Sequence, residues 1–175
     1  MKKLALLFVV LILLVGKQAY AENIKIGSAD LIKALNESDA GKKAKADLEF
    51  LIKTKQSSLD EKGKAIEKKK NDIDKQSSVL SAEARKSKEE ELEKEIRDYQ
   101  RLVADSQNEV KKKEGDLTND IIKELREIIE KLGSEGGYSI ILEGSEGQIL
   151  YAKPEISITE AVIKKHNELK AKSKK

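Results

Sequence analysis

The chain of 175 residues has no cysteine, no tryptophan and one histidine, and aromatic residues make up 3% of it. Without cysteine there is no disulfide and no lipobox for a lipid anchor. After the first twenty-one residues the aromatics are Phe50, Tyr99, Tyr138 and Tyr151. One compact domain should contain more aromatic packing than that, and 38% charged residues is the composition of a coiled coil. There is no G-x-G-x-x-G, no P-loop and no nucleophile paired with a base, so no enzyme, cofactor or metal site is expected. Glu89, Glu90 and Glu91 fall on successive helix faces and do not converge on an ion. His166 has neither cysteine nor a carboxylate cluster nearby in sequence and reads as a surface residue.

The N-terminus has the pattern of an export signal. Lys2 and Lys3 precede an apolar run from Leu4 to Val15, about twelve residues, and Ala19-Tyr20-Ala21 supplies an A-x-A site. That run is shorter than the roughly 20 residues a membrane span needs. Cleavage after Ala21 and a periplasmic location are expected. Losing Lys2, Lys3 and Lys17 leaves 32 basic against 32 acidic residues, so the mature chain is neutral. A globally basic, nucleic-acid-seeking protein is not supported. The charge is nevertheless uneven, because residues 42–75 hold eleven lysines against seven acids.

Long helices dominate the rest. IKIGSA, residues 24–29, reads as a short strand and Asp30 to Leu35 as one or two helical turns. Ser38 or Asp39 can cap a helix running to about Ser77, interrupted only by Gly63. Its apolar line is Ile52, Leu59, Ile66, Ile73 and Leu80, one residue per heptad where a stable coiled coil has two. The companion positions hold Lys55, Lys62 or Gly63, and Lys69. Gln76-Ser77-Ser78 breaks the helix. Ser81 caps a second one, expected to end at Gly133 and with its apolar residues thickening from Leu117 onward. A short break between two long helices predicts an antiparallel hairpin with its tip near 77–81. Residues 138–144 and 148–152 read as a β-hairpin, and Thr159 as the cap of a final helix.

This arrangement resembles the Skp/OmpH periplasmic chaperones over the whole mature chain. The residues that carry it are NESDAGKKAKADLE after the first strand, the hairpin, and GYSIILEGSEGQILYAKPEISITEAVIKKHNEL at the C-terminus. The resemblance implies an α+β, mostly α fold: a helical tentacle on a small β-rich trimerisation body. It divides the chain into the signal peptide 1–21, a body of 22–40 and 115–175, and a hairpin of 41–114. It also implies an ATP-independent holdase, a homotrimer that keeps unfolded outer-membrane β-barrel precursors soluble. The neutral mature charge departs from the family's basic members.

Client-contact candidates follow from the sparse limb: Ile66, Ile73, Val79, Leu80, Leu92 and Ile96, with Lys68, Lys69 and Lys70 as a basic patch. The bland alternatives are a simple helix seam for the apolar residues and a solvated face for the lysines. The functional alternative for the lysines is attraction of acidic clients or a transient contact with a membrane surface. Oligomer-interface candidates are Ile24, Ile26, Ile140, Ile141, Leu142, Ile149 and Leu150, because so few strands leave open edges. The competing function is a structural coiled-coil spacer or adaptor of the cell envelope.

Overall fold

The computed structural model describes residues 24–145 and 149–173. The signal-peptide reading, residues 1–21, falls outside them. Strand β1 is Ile26–Ala29 and helix α1 is Leu31–Glu37. Helix α2, Asp39–Gln76, and helix α3, Ala82–Glu135, form the hairpin. Strand β2 is Ile140–Glu143, a 3-10 turn covers Pro154–Ile156, and helix α4 is Thr159–Lys172. At 1.5 Å per residue, α2 is roughly 57 Å long and α3 roughly 80 Å.

Local chemistry sets where these helices begin. Asp30 accepts from the Lys33 amide, Ser38 from the Gly41 amide and Ser81 from the Ala84 amide. Each satisfies an amide that has no partner within its own helix. The far end of α3 differs from the expected stop at Gly133. The helix continues to Glu135, and Gly137 takes the left-handed turn with φ of 63°. The Tyr138 amide then donates to Gly133 O (2.9 Å) and the Gly137 amide to Ser134 O (3.4 Å), which closes the last turn.

The sheet corrects the expected β-hairpin. β2 pairs with β1, in parallel, with Ile26 opposite Ile140 and Ala29 opposite Glu143. Residues 149–153 form no strand, and residues 146–148, where the turn was expected, fall outside the described residues. The chain instead rejoins β1 further on. Ser28 makes a parallel bridge with Ser157, and the Ile158 amide donates to Ser28 O (2.8 Å). Thr159 is also not the expected cap. Its Oγ1 accepts from the Asp30 amide, so it ties the start of α4 to the start of α1.

The core lies where the hairpin meets this sheet. Leu125 and Val162 are fully buried, in one cluster with Ile121, Ile128, Ile158 and Ile163, Ala29 of β1 and Ala34 of α1. In α4 the buried set is Thr159, Val162, Ile163 and His166, whereas Ala161 and Leu169 are exposed. The Asp39 amide donates to Asn167 Oδ1 (2.9 Å), so α4 braces the base of α2 as well as that of α3.

Gly41 allows α1 and α2 to turn on each other at Ser38. A Cβ there would lie 1.7 Å from Leu35 O. Alanine normally gains about 1 kcal/mol over glycine inside a helix. Here a backbone clash that no side chain can relieve outweighs that gain. Gly41→Ala is expected to destabilise the fold by at least about 2 kcal/mol. Urea unfolding checks this, and an unshifted midpoint contradicts it.

Candidate functional site

The limb is the part of α2 and α3 that extends away from the core. Its seam follows Leu48, Leu51, Lys55, Leu59, Gly63, Ile66, Lys69 and Ile73 on α2. The heptad line of the sequence had Ile52 in place of Leu51. Ile52 is exposed and Leu51 half-buried, because the real spacing mixes steps of three and four residues and drifts off a strict seven. On α3 the positions Leu92, Ile96, Tyr99, Val103, Ser106 and Val110 face inward.

Polar groups occupy the layers where the second apolar residue of each heptad is missing. Lys55 Nζ meets Glu109 Oε2 at 2.6 Å. Lys69 Nζ is shared between Glu91 (2.9 Å) and Glu95 (2.8 Å). Tyr99 packs across the seam over Gly63, where a Cβ would lie 3.5 Å from its Oη, in ordinary van der Waals contact. The hydrogen bond from Lys69 holds the Glu91 carboxyl below its ordinary range, and the two carboxylates raise Lys69 in turn.

The nine client-contact candidates therefore sit in three different settings. Ile66, Leu80, Leu92 and Ile96 are half-buried along or beside the seam, and Ile73 is buried, at 6% exposure. Val79 stands free at the tip, 80% exposed. Lys68 and Lys70 are exposed, but Lys69 turns inward to its two glutamates. The three lysines are thus not one patch.

The oligomer-interface candidates divide as well. Ile141 packs against the chain's own core. Ile26, Ile140 and Leu142 are exposed, as are Ile24 and Leu150, while Ile149 is half-buried. Ile26 and Ile140 are opposite partners in the sheet, so the outward face of β1 and β2 is apolar.

A cluster that sequence reasoning missed holds α4 on α3. His166 is 1% exposed, and its Nε2 lies 2.8 Å from Glu124 Oε2. Lys170 Nζ donates to the other oxygen of Glu124 at 2.6 Å. With Glu124 ionised, Nε2 carries the hydrogen, and Nδ1 has no partner among the described residues. Position 166 falls four residues after Val162, on the buried stripe of α4; that spacing was the available signal.

Burial acts to raise the Glu124 pKa, but the hydrogen bonds from Lys170 and His166 outweigh it and leave the carboxyl below its ordinary value of 4.5. A carboxyl lowered on folding stabilises the fold above its unfolded value, and the gain is lost as pH falls through the folded one. Glu124→Gln should therefore lower stability by about 1 kcal/mol near neutral pH, a modest amount because the group is partly exposed. The difference should vanish well below pH 4.5. Thermal unfolding of both proteins across pH checks this; a difference that persists in acid contradicts it.

The sequence profile described as "Outer membrane protein (OmpH-like)" matches residues 25–165, which takes in both strands and both limb helices. The chain belongs to the OmpH-like family. Among solved structures, this OmpH-like chain is similar to a candidate outer membrane chaperone (OmpH-like) from Caulobacter crescentus. Identity is 20%, the TM-score is 0.79, and the match covers 83% of this chain and 85% of that one. At that identity the likeness concerns the fold, a mostly helical α+β hairpin on a small sheet. No curated protein matches.

Proposed function

We propose that this OmpH-like protein is an ATP-independent periplasmic holdase, exported by a signal peptide cleaved after Ala21. It assembles as a homotrimer through the outward face of its sheet and holds unfolded outer-membrane β-barrel precursors between its limbs. The observation that carries this reading is the half-closed seam. From Leu59 to Val103 every apolar seam residue except Ile73 keeps part of its surface in water. Half-buried aliphatic side chains gain less than the roughly 1.5–3 kcal/mol of full burial and can be covered further by a client. Many weak contacts hold an unfolded chain and still let it go without a nucleotide cycle. Membership of the OmpH-like family and the named Caulobacter crescentus neighbour support a chaperone role.

A structural spacer is the second reading. The ion pairs that fill the seam, Lys55–Glu109 and Lys69 with Glu91 and Glu95, favour it, since they close the limb on itself. Diluting a urea-unfolded outer-membrane barrel into buffer without ATP separates the two. A holdase suppresses the turbidity at near-stoichiometric amounts. A spacer leaves the turbidity unchanged.

A further inference from the structure

Between Lys53 and Tyr138 the only large apolar side chain that is exposed is Val79. The apolar residues of the distal limb are turned toward the seam, half-buried at Ile66, Leu92 and Ile96 and buried at Ile73. Beside these apolar residues, one ionic layer closes the limb. Lys69 Nζ takes Glu91 at 2.9 Å and Glu95 at 2.8 Å. Those two carboxylates lie one turn apart on α3 and repel each other once the lysine is gone. Lys88 and Lys94, also on α3, act on Glu91 from further away, and Lys68 and Asp72 flank Lys69 on α2. Toward the body the seam changes character. There Ile121, Leu125 and Ile128 are buried in the core and cannot part without unfolding it.

We propose that the distal limb is a latch. An unfolded client segment parts α2 from α3 beyond the Lys55–Glu109 pair, its apolar side chains cover Ile66 and Ile73, and its acidic side chains replace Glu91 and Glu95 on Lys69. The inference rests on the holdase reading and names its client class: extended segments in which apolar residues alternate with polar ones, acids among them. Strands destined for an outer-membrane barrel alternate apolar and polar residues with a period of two, so one face of such a segment can meet an apolar stripe. The exchange swaps one ion pair for another and one apolar contact for another. Neither side gains much, and binding stays reversible.

The absence of cysteine makes a distance measurement direct. Lys64 and Arg101 are exposed and stand at the same level of the hairpin, given that Lys55 meets Glu109 and Lys69 meets Glu95. Spin labels on Lys64→Cys/Arg101→Cys, with labelled chains diluted by unlabelled ones, report the helix separation. Adding a urea-unfolded outer-membrane barrel should lengthen that distance by roughly the 8–10 Å of a helix–helix spacing. A client that binds while the distance stays fixed overturns the latch and leaves the holdase reading standing. A wild-type protein that binds no client overturns both. Lys69→Met/Glu91→Gln/Glu95→Gln offers a second readout. It fills the polar layer with an apolar side chain and removes the two carboxylates that the lysine held, so it should raise the melting temperature and lower client protection several-fold. A more stable variant that protects as well as wild type also overturns the latch.

Discussion

Replacing residues 60–100 by a short Gly/Ser turn should leave a folded, assembled body that no longer protects clients. The cut is nearly matched on the two helices. It removes Lys69 with Glu91 and Glu95 and removes Gly63 with Tyr99, but it keeps the Lys55–Glu109 pair that joins the helices nearer the body. It also keeps the core of Leu125, Val162 and their neighbours, together with the caps at Asp30 and Ser38. Circular dichroism should show a helical protein that melts cooperatively. Suppression of barrel aggregation should fall to the level of an inert protein. Full protection by the shortened chain would remove the limb from the account.

The second large effect is on assembly. Ile140 is 47% exposed in the single chain and lies opposite Ile26, itself exposed, on the outward side of a two-stranded sheet. A carboxylate at that position costs an isolated chain little, since water reaches it. In an assembly that covers this face, Ile140→Asp buries a charge with no partner, at a cost on the order of 3 kcal/mol or more in each chain. Each 1.4 kcal/mol is tenfold in affinity, so the assembly weakens by about a hundredfold per contact. Light scattering at micromolar concentration should find a trimer for wild type and a folded monomer for the variant. A trimer that survives the substitution places the interface elsewhere.

Much of the hairpin was legible because local rules govern it. Ser38 and Ser81 cap helices wherever a serine precedes a long helical run, and the break at 77–81 lacks any apolar residue that would carry the seam across it except Val79 and Leu80. The failures were all nonlocal or turned on small differences in spacing. β2 pairs with β1 across three helices and more than a hundred residues of sequence, and no local signal distinguishes that from a hairpin with residues 148–152. His166 lies one turn after Val162 on the buried face of α4, but its partner there, Glu124, is 42 residues away in sequence. Leu51 displaced Ile52 because a strict seven-residue count ignores the drift of the seam. The end of α3 could have fallen at Gly133 or at Gly136–Gly137. The second site won because Gly137 adopts the left-handed conformation there.

On the proposed holdase function, the exposed surface narrows where a client would be held. Phe50, 73% exposed near the base of α2, and Val79, in the connection at the tip, are the freest large apolar groups of the hairpin, and apart from the exposed Ile52 the large apolar residues between them are tucked toward the seam. Contact along the limb therefore depends on the half-buried stripe. The most direct test is a photoreactive side chain placed at Lys70 on the limb or at Glu155 on the body, both exposed positions. With an unfolded outer-membrane barrel bound, illumination should cross-link the client to position 70 and leave position 155 nearly free. Cross-links from position 155 with none from position 70 would contradict the claim that the limb holds the client.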